Sequence, residues 1–265
     1  MEFIVNGIRV FYDSELNGGG TGFGMLFIPI IRRLVGYVNN CLEVFSGPSF
    51  IGFSLLAYGL CSKLVVADIN PRAIDNVRRT IKENRLENKV EYYVSDVLDG
   101  LSKTERFDLV VGNPPHFSEA TIKVFCNKCK CCDRDIELLK ALDKGWNLHR
   151  KFYKAVSDYL NIGGNVMFVE NSEGSKPEDF IPMINNSGLK YEGVIWPNNN
   201  DIVTAFTISL KAFLLSQKSI VKRGIAYSLH PTIADMFLGI GMRVSKKAKE
   251  FLKDYYKFYI IWSKK

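Results

Sequence analysis

The sequence predicts a parallel, doubly wound α/β sheet closed by an antiparallel strand, with a short hairpin ahead of it and a basic extension behind. Two observations carry this. Four apolar runs, Leu42–Phe45, Leu64–Ala67, Val90–Val94 and Phe107–Val111, each end in a polar or glycine-bearing turn. Helical patterns separate the first three, and strands alternating with helices imply a parallel sheet. Such sheets bind ligands outside the carboxyl ends of their strands. Glu43, Asp68, Asp96 and Asn113 all fall at or near those ends.

The elements follow in order. Phe3–Tyr12 reads as two short strands around Asn6-Gly7, a pair suited to a two-residue hairpin turn. Residues 18–24 hold five glycines in seven. That density argues against a regular element and for a ligand-side loop, with a flexible linker as the alternative. Met25–Asn39 is expected to be a helix, with Pro29 in its first turn or kinking it. Ser46-Gly47-Pro48 is a turn leading into a helix over Ser49–Gly59, whose first N–H groups face the ligand edge. Pro71 suits the first turn of a helix running to about Leu86.

After Ser118 the pattern loosens. Lys144–Tyr159 reads as an amphipathic helix carrying His149, and Asn165–Val169 as a fifth parallel strand. Lys190–Ile195 and Ile202–Leu210 read as a closing antiparallel pair, which makes seven strands. Lys246–Tyr259 has helical periodicity. The domain division expected is 1–24 for hairpin and Gly-rich loop, 25–210 for the core, and 211–265 for a basic extension.

Composition narrows the classes. The chain has 265 residues and 47% hydrophobic content, enough for a full core. It shows no signal sequence and no membrane span, and its six Cys suit a reducing compartment, so a cytoplasmic location is expected. The net charge is +7, yet residues 211–265 hold twelve Lys or Arg against three Asp or Glu. A basic tail on a near-neutral body suits RNA, an acidic protein or an anionic surface; a plain solvated lysine face is the alternative. Cys126, Cys129, Cys131 and Cys132 crowd into seven residues. Cys126-x-x-Cys129 has zinc-ligand spacing, but Cys131-Cys132 suits one tetrahedral site poorly, so no metal is expected.

The turns carry the chemistry. A Gly-rich turn after a strand can face NAD, a nucleotide or nothing. Asp68, two dozen residues on, can accept both ribose hydroxyls of an adenosine cofactor, or can cap the helix begun by Pro71. Asp96 can accept an adenine amino group while Val97 offers a backbone N–H, or Asp96 is a turn residue. Asn113-Pro114-Pro115-His116 is the most specific signal. Two prolines fix an extended backbone. The Asn113 side-chain oxygen and the Pro114 carbonyl can then accept both protons of one planar NH₂ group. That aims the nitrogen lone pair along a fixed line, as in-line methyl transfer requires.

These residues together resemble the class I S-adenosylmethionine-dependent methyltransferases, which are Rossmann-like. They are most similar to the amino-methylating branch with an Asn-Pro-Pro-Tyr-type signature: HemK-type protein glutamine methyltransferases, rRNA N-methyltransferases and DNA adenine methyltransferases. The resemblance covers roughly residues 25–210. It implies S-adenosyl-L-methionine as cofactor. Glu43, Phe45, Ser46 and Gly47 then line its methionine end. Asp68, beside Ile69, takes the ribose, and Asp96 with Val97 the adenine. Asn113 stands where cofactor and acceptor meet and, with Pro114, holds the target nitrogen.

The chain departs from that pattern at three places. Pro48 and Ser49 replace glycines of the usual turn. His116, followed by Phe117, stands where Tyr, Phe or Trp is usual, so either ring can stack on the acceptor, or His116 can act as a base. No HemK-like helical domain precedes the core, so release-factor recognition by that route is not expected. Thr21, Phe23, Phe117 and His149 complete the substrate-side candidates. The function expected is N-methylation of an amide, guanidine or base amine on a small molecule, protein or RNA. A catalytically inactive methyltransferase-fold scaffold is the alternative. A nicotinamide oxidoreductase explains Asp68 but not the Asn-Pro-Pro turn.

Overall fold

A computed structural model describes residues 1–16, 20–122, 141–216 and 257–265. Its centre is a seven-stranded sheet. β3 (Val38–Val44), β4 (Cys61–Asp68), β5 (Val90–Val94), β6 (Phe107–Gly112) and β7 (Leu160–Asn171) run parallel. The order across the sheet is β5-β4-β3-β6-β7-β9-β8. The chain therefore winds outward from β3 to β5, then returns to β6 on the other flank of β3. Ligands bind at the carboxyl ends beside such a reversal. The expected Rossmann-like sheet with an antiparallel last strand is present.

Alternation along each strand separates two cores. Cys41, Leu64 and Val66 face the layer formed by α1 (Gly20–Leu34), α2 (Phe50–Ala57) and α3 (Pro71–Asn84). Leu42, Val44, Val65 and Ala67 face the layer that holds α4 (Asn147–Val156) and α5 (Pro177–Asn186). The N-terminal hairpin forms as expected. β1 (Glu2–Val5) pairs with β2 (Ile8–Phe11) around Asn6 and Gly7, both at positive φ, as a tight two-residue turn demands. The hairpin leans on α3, where Phe11 N–H donates to Thr80 Oγ1 (2.9 Å).

Three expectations need correction. First, Gly20, Gly22 and Gly24 lie inside α1 rather than in a loop, and Pro29 lies within that same helix. The glycines serve helix packing: a Cβ on Gly24 would stand 2.6 Å from the Phe50 carbonyl oxygen, and one on Gly20 2.5 Å from the Phe50 ring. Only bare backbone lets α1 approach α2 so closely.

Second, Ile202–Leu210 is not a strand but part of α6 (Asn199–Ser216). Pro197 and the Asn-rich run before Ile202 suit a hairpin turn, yet Asn198 and Asp201 cap each other reciprocally: Asp201 N–H donates to Asn198 Oδ1 (2.8 Å) and Asn198 N–H to Asp201 Oδ2 (3.2 Å). Ile202, Ala205 and Ile208 are buried at helical spacing. Arg33 of α1 pairs with Asp201 at 2.9 Å.

Third, β8 (Lys190–Ile195) has its antiparallel partner in β9 (Phe258–Lys264), from the stretch read as an extension. β9 fits between β7 and β8, antiparallel to both. Phe258 and Tyr259, expected to end a helix, begin this strand. The cysteine cluster at 126–132 and most of the basic stretch lie outside the described residues. No helix among the described residues is long and apolar enough to cross a membrane.

Candidate active site

A cleft of about 670 Å³ opens at the carboxyl ends of β3, β4, β5 and β6. Glu43, Phe45, Ser46, Gly47, Asp68, Ile69, Asp96, Val97, Asn113, Pro114 and His116 all line it. Ser14, Glu15 and Leu16 form a further wall. Sequence reasoning missed that wall, because only the packing of the hairpin on α3 brings it there. Arg72 at the start of α3 holds it by ion pairs to Asp13 (3.2 Å) and Glu15 (3.4 Å).

The turn after β3 is conformationally demanding. Phe45, Gly47 and Ser49 all have positive φ, at 53°, 49° and 65°. Two of the three bear side chains that disfavour this region, and such strain gathers at ligand-facing turns. Glu43 anchors the turn from beneath. It is buried, accepts from Ser49 Oγ and takes N–H bonds from Gly52 (2.6 Å) and Ile51 (3.3 Å). Burial raises its pKa to about 7, against the pull of those bonds. Glu43 lines the cleft, but both its oxygens are engaged with the start of α2.

Asp68 is half-buried at the end of β4. Its carboxylate accepts from Gly47 N–H (2.7 Å) and Asn70 N–H (2.8 Å), which ties the β3 turn to β4. Burial raises its pKa despite these bonds. The helix-cap role belongs to Asn70, whose side chain accepts from Arg72 N–H (3.0 Å). Asp68 is thus left at the cleft, with the 64%-exposed Ile69 beside it. Beyond β5, Asp96 pairs with Lys151 at 2.5 Å. Val97 has φ 59°, a costly value for a β-branched residue, and also lines the cleft.

Asn113 follows β6. Its Oδ1 is buried and has no hydrogen-bond partner among the described residues. An orphaned buried acceptor is costly, and at the edge of a cleft it is open to a partner from a bound molecule. His116 Nδ1 is likewise buried without a partner among the described residues. Burial lowers the His116 pKa to about 4, helped by the charge of His149 and opposed by the nearby Pro114 carbonyl. At neutral pH the ring is uncharged. It lies 5.3 Å from the Phe117 ring and 6.0 Å from that of Phe258.

Four substrate-side candidates do not line this cleft. Thr21 and Phe23 belong to α1, and the buried Phe23 packs on Phe258 at 4.8 Å. Phe117 is buried, its backbone paired with residues 141–143. His149 is wholly buried between Asp143 and Glu170. Burial opposes a charge on it, but the two carboxylates outweigh that and raise its pKa to about 9. No metal-holding cluster of His, Cys, Asp or Glu occurs among the described residues.

The strand ends, the strained glycine-bearing turn and the Asn-Pro-Pro segment converge on one cleft. Residues 25–128 match the family model of the methyltransferase small domain. Within this matched stretch fall β3 to β6 and every cofactor-side residue named above. The chain is 35% identical over 106 residues to the ribosomal RNA small subunit methyltransferase C of Actinobacillus pleuropneumoniae serotype 5b, covering 40% of this chain and 30% of that one. It is 30% identical over 146 residues to the release factor glutamine methyltransferase of Clostridium acetobutylicum, covering 53% and 49%. The chain therefore spans about a third to a half of these relatives' length. Among solved structures, coclaurine N-methyltransferase aligns over 92% of this chain and 72% of its own, with TM-score 0.48 and 8% identity.

Proposed function

We propose that this chain is an S-adenosyl-L-methionine-dependent N-methyltransferase acting on a planar NH₂ group of RNA or protein. The observation that carries the reading is the unpartnered, buried Asn113 Oδ1 at the end of β6, beside the cleft. A neighbouring Pro114 carbonyl completes a pair of acceptors. The similar proteins named above include one named for ribosomal RNA and one for a release-factor glutamine, and both acceptors carry such a group.

The residues present fit the cofactor. Asp68 offers a carboxylate to ribose hydroxyls, the exposed Ile69 an apolar face, and Asp96 with Val97 a polar edge for adenine. The backbone of residues 45–47 faces the methionine end. When bound, S-adenosyl-L-methionine supplies an electrophilic methyl group. The work of the chain is positioning. Asn113 Oδ1 and the Pro114 carbonyl each accept one N–H of the acceptor. Both protons are then held in one plane, and the nitrogen lone pair stands out of that plane into the cleft. Two rigid prolines keep the geometry without ordering cost at the moment of transfer. His116 remains neutral and offers a hydrogen-bonding edge rather than a charge.

The test has two stages. Calorimetry should give micromolar binding of S-adenosylmethionine and of S-adenosylhomocysteine, and none of NAD. Labelled-methyl transfer should then be found with RNA or ribosomal and release-factor protein. Asn113→Ala should keep cofactor affinity within a few fold and abolish transfer. Cofactor binding without transfer to any acceptor would favour a scaffold, and absence of cofactor binding would sink the reading.

A further inference from the structure

Behind the acceptor motif, and outside the cleft, runs a buried chain of charged groups. His149 Nδ1 faces Asp143 Oδ2 at 2.7 Å, and Nε2 faces Glu170 Oε1 at 2.9 Å. Asp143 is 1% exposed and the other two not at all. Ser175 Oγ donates to Glu170 Oε2 (3.4 Å) and meets Tyr259 Oη at 3.0 Å. Trp146, Phe168 and Phe180 wall the His149 ring at 5.6, 6.2 and 4.6 Å. Asp143 and Glu170 are the titratable groups bonded to it, His116 lies farther off, and Tyr153 and Tyr259 stand near Glu170.

This chain reaches the acceptor motif through backbone. Phe117 N–H donates to the Ala141 carbonyl (3.0 Å) and Asp143 N–H to the Phe117 carbonyl (3.0 Å). Asp143 also accepts from the N–H groups of Leu148 (2.9 Å) and His149 (3.1 Å), so it fixes the start of α4. On the other side, Gly174 sits so close to the His116 carbonyl that a side chain there would strike it. Thr121 Oγ1 donates to the Gly174 carbonyl (3.0 Å). The segment after Asn113 is thus clamped between 141–143 and 171–175, and the buried charges join the two jaws.

Replacing a buried ion cluster by apolar side chains is often neutral or stabilising, so bulk stability alone is a weak reason for this one. The cofactor side leans on it little: Glu43 and Asp68 are held by backbone N–H groups near their own turns, and α4 reaches that side through the solvent-facing Lys151–Asp96 pair. We propose that Asp143, His149 and Glu170 are positioning residues that set the stance of Asn113–His116, and so govern engagement of the methyl acceptor but not of the cofactor. The proposal rests on the reading of Asn113–His116 as the acceptor contact.

The experiment compares Glu170→Gln with the unaltered full chain by three readouts. Amide hydrogen exchange should quicken at least tenfold at Phe117 and Asp143, relative to Val65 and Val66 of β4. The S-adenosylhomocysteine Kd should stay within threefold. In labelled-methyl transfer, the apparent KM for total RNA or ribosomal protein should rise at least tenfold while the cofactor KM stays within threefold. Unchanged protection at Phe117 and Asp143, uniform quickening of all amides, or an equal loss of cofactor affinity would each overturn the proposal. Should Glu170→Gln not fold, Ser175→Ala and Tyr259→Phe trim only hydroxyls and should show the same split at about threefold. Should the unaltered chain methylate nothing, the functional reading falls, while the exchange comparison still decides whether the clamp exists.

Discussion

The cofactor side and the acceptor side of this molecule solve the same problem by different means. Both bury carboxylates next to a cleft. On the β3–β5 side, Glu43 and Asp68 are held mainly by backbone N–H groups of the adjoining turns, at most 21 residues away. On the β6–β7 side, Asp143 accepts two N–H bonds at the start of α4, but it and Glu170 are joined across the His149 side chain, and the chain of contacts runs on to Tyr259, 84 residues from Ser175. The Glu43 bonds come with the turn itself, and the Gly47–Asp68 bond with the pairing of β3 and β4. Long-range side-chain bonds exist only after the sheet, α4 and β9 have assembled.

The largest expected effect breaks the second arrangement. His149→Ala leaves two buried carboxylates without their partner and should cost about 3–5 kcal/mol in urea denaturation. A loss under about 1 kcal/mol would mean that water or rearrangement replaces the ring.

Titration separates the two sides. His149 has its pKa raised from 6.5 to about 9 in the folded state. Its contribution is therefore fully present below pH 6.5 and lost as pH rises through 9, an integrated change of about 3 kcal/mol. Glu43, raised from 4.5 to about 7, favours the fold below pH 4.5 and loses that contribution as pH rises through 7. Stability measured against pH should fall in both windows. His149→Gln should flatten only the upper one and Glu43→Gln only the lower. One slope removed by either variant would show the sides to be coupled.

Smaller effects sharpen the contrast. Asp68→Ala should weaken S-adenosylmethionine by about 1.5–3 kcal/mol in calorimetry, the scale of hydrogen bonds to a charged group. Gly24→Ala gains helix propensity but forces a methyl against the Phe50 carbonyl, and should cost about 1–3 kcal/mol of stability overall. Asn198→Ala, which removes the cap of α6, should cost about 1 kcal/mol by thermal denaturation. An unchanged melting temperature would show that Arg33 and Asp201 hold the helix start unaided.

The legibility of the sequence follows the same divide. Turns that bind their own strand ends announce themselves locally: Asn6-Gly7, Gly47, Asp68 and the Asn-Pro-Pro run were all readable, and so was the fold class. α6 was misread because Pro197 and the asparagines after it suit a hairpin turn as well as the capping pair that Asn198 and Asp201 form. The glycines of α1 were misread because their reason, the Phe50 backbone, lies 26 residues further on in α2.

What the sequence determined by itself is the alternation of strand, turn and helix, because dihedral preferences and apolar period act within a few residues. What only the tertiary structure decided is which distant pieces meet. β9 completes the sheet between β7 and β8, the segment at Ser14–Leu16 walls the cleft, and His149 finds two carboxylates rather than a substrate. The first two rest on pairing across dozens of residues and the third on burial of the His149 ring between two elements, and no local pattern encodes the partner of a contact that forms only when the core closes.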